Sequence, residues 1–123
     1  MDATIITYGV GVHWALESAR LLSNDGHEIE IIDLRTLQPW DMETVLASVK
    51  RTGRALVLHE APVTGGFGGE IAARIGELAF EWLDAPVQRL GALDTPVPFA
   101  PSLEALHSPA QRVTDAITSL VRY

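Results

Sequence analysis

Short apolar runs alternate along this chain with longer stretches whose apolar residues recur at helical spacing. The runs are rich in β-branched and aliphatic side chains, which is typical of buried strands: residues 4–8, 29–32, 55–58 and 86–90. Helical spacing is found between and after them: residues 12–22, 42–49, 71–82 and 113–121. This order predicts an α/β fold, a three-layer α/β/α sandwich around a mostly parallel sheet of four to five strands.

Local signals predict where several elements begin and end. Asp41 can cap the second helix, and Gly53 ends it. Ser108 is a capping residue in front of the last helix, and Gln111 completes a capping box. Residues 95–101 carry three prolines, which cannot hold a regular ladder, so an extended connection is expected there.

Composition bounds the class of protein. The 123 residues are 47% hydrophobic and 20% charged, which supports one domain over residues 1–123. A chain of this size can form a core that is stable without a disulfide or a bound metal. The absence of cysteine excludes disulfides, thiolate metal clusters and a cysteine nucleophile. The net charge of −7 argues against a nucleic-acid partner and suits a basic protein partner.

The chain start and its hydropathy give an expectation for location. No apolar run approaches the ~20 residues that a membrane helix requires, and the start lacks the features of a secretory signal. We therefore expect a cytoplasmic protein without a membrane partner. The first strand signal follows Met1 almost directly, which suggests a domain excised from a longer chain.

One glycine pair has the position of a dinucleotide loop. Residues 9–11 follow a strand and precede a helix, but Trp14 stands where the third glycine of that fingerprint belongs. An indole there blocks the close packing of helix on strand, so nucleotide binding is not expected. The histidines at His13, His27 and His107 lack metal-ligand spacing and are interpreted as surface or capping residues.

A second constellation lies at the end of the third strand. His59 and Glu60 can form an acid/base pair where open parallel sheets place ligands. Adjacent strand residues point to opposite faces, however, which favours roles in fixing the loop or facing a neighbouring domain. The amides of the run 65–69 could receive an anion, or its glycines allow close backbone approach. A free-standing enzyme or small-ligand binder that uses this edge is the alternative function.

Five ordered motifs cover nearly the whole chain. They are DLRTLQPWD at 33–41, KRTGR at 50–54, HEAPVTGGFGGEIA at 59–72, LDAPV at 83–87 and DTPVPFAP at 94–101. With these motifs the chain resembles the C-terminal (transketolase C-terminal type) domain of the β subunit of 2-oxo acid dehydrogenase E1 components. The HEAP and GGFG sequences within the third motif are most similar to the branched-chain (2-oxoisovalerate) type, and bacterial pyruvate and acetoin enzymes can share them.

The resemblance implies an oxidoreductase of which this chain is a non-catalytic part. Such E1 enzymes use thiamine diphosphate and magnesium to decarboxylate a 2-oxo acid and pass the acyl group to the E2 lipoyl arm. Other domains hold the cofactor, so no catalytic, cofactor-binding or metal residue is expected here, and the isolated domain is expected to be inactive. The implied partners are the E1 α subunit, the β pyrimidine-binding domain, a second β copy and the basic E2 peripheral subunit-binding domain.

The resemblance also implies two sets of surface residues. Asp84 is the expected E2-docking position, and Tyr123, with the chain-terminal carboxylate, is its companion. On local grounds, a capping or turn role before Pro86 is the alternative for Asp84. Five residues are expected to contact a neighbouring domain or subunit: Arg35, His59, Glu60, Gly66 and Phe67.

Overall fold

The computed structural model describes residues 1–123 as one parallel sheet with helices on both sides. The strands are β1 (Ala3–Thr7), β2 (Ile29–Asp33), β3 (Ala55–Pro62) and β4 (Gln88–Ala92), in the order β2-β1-β3-β4. The helices are α1 (Gly11–Asn24), α2 (Met42–Thr52), α3 (Gly68–Ala79), α4 (Pro101–His107) and α5 (Val113–Val121). The predicted three-layer α/β/α sandwich is confirmed, with four strands.

The two faces of the sheet pack on different helix pairs, because side chains alternate along each strand. Ile5 and Leu56 lie in the core under α1 and α5, and Ile6 and Val57 lie in the core under α2 and α3. All four are at most 1% exposed. None of the helices has the length and apolar character needed to cross a bilayer.

The parallel arrangement gives the sheet two distinct edges, which we call the amino edge and the carboxyl edge after the strand ends that meet there. The chain leaves β1 toward β2 on one side and leaves β3 toward β4 on the other. The connections therefore diverge between β1 and β3. In open parallel sheets, ligands bind at the carboxyl edge beside such a switch point.

The predicted ends of α2 are confirmed. The Asp41 carboxylate accepts hydrogen bonds from the Thr44 amide at 3.0 Å and from the Thr44 hydroxyl at 2.7 Å. These bonds, the hydroxyl bond first, hold the pKa of Asp41 below its usual 3.8. Gly53 closes the helix with φ +71°, a left-handed conformation that favours glycine.

The last third of the chain differs from the sequence prediction. Ser108 accepts a bond from the Ala110 amide at 3.2 Å, but a 3₁₀ turn follows over residues 110–112, so α5 begins only at Val113. The predicted helix over 71–82 likewise changes to a 3₁₀ turn after Ala79. The connection after residue 95 runs into α4, a short helix with Pro101 at its first position.

Candidate functional site

A groove at the amino edge brings together the two residues predicted for docking. Asp84 lies in the segment that enters β4, and Tyr123 follows the end of α5. We call this surface the Asp84 groove, and its volume is about 710 Å³. Its other lining residues come mainly from α3 and the segment before β4: Ala72, Gly76, Phe80, Glu81, Leu83, Ala85, Pro86 and Val87.

The backbone of Asp84 is anchored while its carboxylate faces solvent. The Asp84 amide donates to the Gly53 carbonyl at 2.7 Å, and the side chain is 63% exposed. The only cation paired with the carboxylate is Arg54, with Nη1 at 3.7 Å from Oδ2. The carboxylate makes no capping or turn bond to neighbouring backbone. It is therefore available to a basic group from outside the chain.

Aromatic side chains border the Asp84 groove. Phe80 is 77% exposed and Tyr123 is 70% exposed. The neighbouring Trp82 carries the Lys50 ammonium 4.0 Å above its ring centre, a cation–π contact. Exposed rings beside an acidic group suit a protein contact better than free solvent, because aromatic residues are enriched where protein interfaces are buried.

His59 and Glu60 point to opposite faces of β3, as the strand alternation predicts. The His59 ring is buried, and its Nδ1 lies 2.8 Å from the Ala61 carbonyl oxygen. A Cβ placed on Gly68 would lie 2.6 Å from Nε2, so the run 65–69, which we call the glycine loop, rests on the imidazole. The exposed Glu60 belongs to the other face. The two side chains do not form an acid/base pair.

The glycine loop is fixed from its outer side by Asp94. The Thr64 amide donates to Oδ1 of Asp94 at 3.1 Å, and the Thr64 hydroxyl donates to Oδ2 at 2.5 Å. These two bonds, the hydroxyl bond first, lower the pKa of Asp94 below its usual 3.8. Asp94 opens the DTPVPFAP motif, but the sequence alone predicts no role for it. An Asp after a strand end is a turn signal, but its partner lies thirty positions earlier.

The other predicted interface residues differ in how much surface they offer. The Arg35 side chain is 87% exposed and pairs with Asp33 at 2.7 Å. Phe67 is half-buried against the core under α2 and α3, and Gly66 is half-buried over His59. Arg35, Glu60 and Phe67 can contact another chain directly. His59, at 2% exposure, acts on such a contact only through the loop above it.

The scattered histidines have mixed positions. His13 is exposed, and His27 lies 3.7 Å from the Asp2 carboxylate near the surface. His107, which we interpreted from the sequence as a surface or capping residue, is 6% exposed, so that interpretation is wrong. Its Nδ1 lies 3.0 Å from the Thr95 hydroxyl, because α4 folds this turn against the end of β4.

The residues present do not fit thiamine diphosphate or its magnesium ion. No three His, Asp or Glu side chains are placed to hold a metal. Amides at the start of α1 donate to Tyr8, Gly9 and Val10 carbonyls, and those of Gly66 and Gly69 donate within their own loop. Several amides of both glycine segments are thus taken up by the loops themselves, and Trp14 stands where the third glycine of a pyrophosphate loop belongs. We derive no chemical step through the cofactor in this chain.

Comparison with known proteins gives a consistent set of matches. Residues 1–112 match the family model described as transketolase, C-terminal domain. The chain is 46% identical over 99% of its length to the 2-oxoisovalerate dehydrogenase subunit beta 2, mitochondrial, of Arabidopsis thaliana. It is 41% identical over 97% of its length to the pyruvate dehydrogenase E1 component subunit beta of Rhizobium meliloti. It is 47% identical over 89% to an acetoin:2,6-dichlorophenolindophenol oxidoreductase subunit beta of Cupriavidus necator.

The solved structures agree with the sequence matches. A split gene transketolase, described as an inactive beta4 tetramer, superposes with a TM-score of 0.82 at 28% identity. The match covers 98% of this chain and 38% of that one. The three curated relatives are likewise matched over only 34%, 26% and 32% of their length. The chain therefore spans about a third of the proteins it is similar to.

Proposed function

Since this chain belongs to the transketolase C-terminal domain family, we propose that it is the assembly and E2-docking domain of a 2-oxo acid dehydrogenase E1 β part. The observation that carries the docking role is the Asp84 groove. It joins an anchored, solvent-facing carboxylate to Tyr123 and to exposed aromatic surface. The two residues lie far apart in the sequence, and only the fold brings them together.

The partner proposed for this groove is the basic E2 peripheral subunit-binding domain. The chain carries a net charge of −7, so it attracts a basic domain during diffusional approach as well as in the bound complex. Asp84 would accept a hydrogen bond from an Arg or Lys side chain of the partner, while Phe80 and Tyr123 cover apolar parts of its surface. Salt should weaken this association strongly, because the attraction is between exposed charges.

The carboxyl edge is proposed as the face toward the rest of E1. Arg35, Glu60 and Phe67 would contact the E1 α subunit, the β pyrimidine-binding domain or a second β copy. His59 and Gly66 would fix the shape of the loop that carries Phe67. Because this face and the Asp84 groove lie at opposite edges of the sheet, the domain could assemble with E1 and dock E2 at the same time.

The proposed parent enzyme oxidatively decarboxylates a branched-chain 2-oxo acid with thiamine diphosphate and magnesium held by other domains, and acylates the E2 lipoyl group. The branched-chain type is supported by the motifs and by the Arabidopsis relative, which is 46% identical over 99% of this chain. Pyruvate- and acetoin-type relatives at 41% and 47% identity make those substrates the alternatives. The isolated domain is proposed to be inactive. Its cytoplasmic location stays a prediction, and the Arabidopsis relative is described as mitochondrial.

Calorimetric titration tests the docking role. The chain is titrated with the subunit-binding domain of the cognate E2, and separately with thiamine diphosphate and magnesium. We expect saturable docking without cofactor binding. Asp84→Asn should weaken docking by roughly tenfold, while Asp25→Asn, which removes an exposed carboxylate at the end of α1, should leave it unchanged.

Two results would overturn this proposal. Unchanged affinity for Asp84→Asn would remove Asp84 from the interface. Cofactor binding by the chain alone, or conversion of a 2-oxo acid by it, would instead favour a free-standing enzyme or small-ligand binder at the His59, Glu60 and glycine-loop edge.

A further inference from the structure

A second, more enclosed cavity lies at the carboxyl edge, beside the switch point between β1 and β3. Its volume is about 230 Å³, and we call it the Glu60 pocket. One wall follows the end of β1 and another is the exposed end of β3, while α4 and the segment before it close the remaining side. Its main lining residues are Val10, Trp14, Glu60, Val97, Glu104 and His107.

The lining of the Glu60 pocket is acidic over an apolar base. Glu60 and Glu104 are exposed carboxylates, and neither is engaged in an ion pair. No Lys or Arg is among the lining residues. Val10 and the half-buried Trp14 supply apolar and aromatic surface. This combination suits a cation that carries an apolar stem.

A buried polar group also faces this cavity. His107 is 6% exposed and lines the Glu60 pocket, with Nδ1 held at 3.0 Å by the Thr95 hydroxyl. This bond fixes the imidazole in the wall of the pocket, where the end of α4 packs against the end of β4.

Size and surroundings decide between a small ligand and a protein side chain. Small-molecule pockets commonly measure roughly 300–1,000 Å³, and this cavity is smaller. Large apolar side chains stand exposed on α4 and the segment before it: Val97 at 66%, Phe99 at 102%, Leu103 at 53% and Leu106 at 64%. Apolar surface around a small acidic pocket is the arrangement of a protein interface with one anchoring side chain.

We propose that the Glu60 pocket binds a single Arg or Lys side chain of another polypeptide, whose flanking apolar residues cover Phe99 and Leu103. The cationic head lies between Glu60 and Glu104, and its stem lies against Trp14. A second copy of this chain is the less suitable occupant, because two copies each of charge −7 repel one another. The inference rests on the proposed assembly role only in placing a polypeptide at this edge, and it is independent of the Asp84 groove.

Nuclear magnetic resonance of the ¹⁵N-labelled chain tests the pocket directly. The probes are N-acetyl-arginine amide, its neutral citrulline analogue, and the tripeptide acetyl-Leu-Arg-Phe-amide. We expect saturable shifts of the Trp14 indole signal and of the amides around His107 with arginine amide in the millimolar range. The citrulline analogue should bind at least about tenfold more weakly, because it lacks the charge. The tripeptide should bind more tightly than arginine amide.

Matched variants assign the effect to the pocket. Glu60→Gln and Glu104→Gln should each weaken arginine amide by roughly threefold, while Glu43→Gln, which neutralises an exposed carboxylate on α2, should not change it. Phe99→Ser should remove the advantage of the tripeptide and leave arginine amide unaffected. The amide spectrum of each variant reports whether the fold is intact.

Several outcomes would overturn the proposal. Absence of saturable shifts, or equal binding of the citrulline analogue, would exclude a cation site. Equal affinity of tripeptide and arginine amide would point to a small-molecule cation. Self-association in sedimentation that Glu104→Gln abolishes would identify a second copy as the occupant. Weakened arginine binding in Asp84→Asn, which we expect to leave the Glu60 pocket unchanged, would contradict the independence of the two sites.

Discussion

The Asp84 amide donates a hydrogen bond to the Gly53 carbonyl at 2.7 Å, and the Asp84 carboxylate fills the space that a side chain on Gly53 would need. Gly53 also has φ +71°, which an L-residue adopts at a cost of about 1 kcal/mol. We therefore expect Gly53→Ala to lower the free energy of unfolding, measured in urea, and also to displace the carboxylate and weaken E2 docking.

The chain offers a matched control for this substitution. Gly26 has φ +84°, but a Cβ there meets no atom within 4 Å. Gly26→Ala should lower the free energy of unfolding by a similar amount, because alanine would be strained by the positive φ at either position. It should leave docking unchanged. Equal loss of docking in both variants would mean that lost stability, and not displacement of Asp84, is the cause.

Arg54 is expected to limit the affinity of the Asp84 groove. Its Nη1 lies 3.7 Å from Oδ2 of Asp84, too far for a firm hydrogen bond but near enough to compete with a partner's cation. Since the Gly53 carbonyl anchors the Asp84 backbone without Arg54, Arg54→Met should tighten E2 docking roughly twofold to threefold at low salt.

Calorimetry at two salt concentrations measures this effect. Arg51→Met is the control, because Arg51 is an exposed arginine paired with Glu30 and lies outside the groove. A weaker association for Arg54→Met would show that Arg54 positions Asp84 rather than competing for it. A gain of equal size in both variants would reflect the change in net charge alone.

The parts of this fold that the sequence predicts are those encoded by neighbouring residues. The ends of α2 depend on Asp41 capping Thr44 three residues later and on Gly53 closing the last turn. Helix α4 could not be predicted in the same way. Among its residues only His107 is buried, so the helix leaves no apolar stripe in the sequence.

The candidate sites are predictable only as lists of residues. Asp84 and Tyr123 were expected together from the family resemblance, whereas the anchoring of Asp84 by Gly53 depends on how the segments entering β3 and β4 lie side by side. The separation of His59 from Glu60 follows from strand alternation alone. The cavity that Glu60 shares with Glu104 and His107 depends on α4, and it was therefore missed.

The stabilisation of the glycine loop by Asp94 should be sensitive to acid. Its pKa lies below the usual 3.8 because the Thr64 hydroxyl and amide donate to the charged carboxylate. A depressed pKa means that the stabilising contribution is present above about pH 3.8 and is lost as the pH falls through the lower folded-state value. Asp94→Ala should therefore be less stable than the parent at neutral pH, and the difference should vanish in acid.

Urea unfolding as a function of pH measures that difference, and hydrogen exchange at the Thr64 amide reports it locally. Asp25→Ala removes an exposed carboxylate that makes no ion pair, and it should track the parent at every pH. A stability difference for Asp94→Ala that persists unchanged below its titration would show that lost packing, and not the charged hydrogen bonds, is responsible.

Alanine substitutions at Gly68 and Gly69 distinguish the effect of close packing over His59 from the effect of helix propensity. A Cβ on Gly68 would lie 2.6 Å from Nε2 of the buried His59, whereas a Cβ on Gly69 meets only Arg89 Nη1 at 3.5 Å. Gly68→Ala should cost roughly 1–3 kcal/mol of unfolding free energy, because the imidazole is enclosed and cannot move away. Gly69→Ala should be neutral or stabilising by up to about 1 kcal/mol, since alanine is the better helix former.

Both residues lie in the first turn of α3, so backbone effects are matched. Restoration of Gly68→Ala stability by a second change, His59→Ala, would identify the imidazole as the clashing group, and failure of that rescue would assign the cost elsewhere.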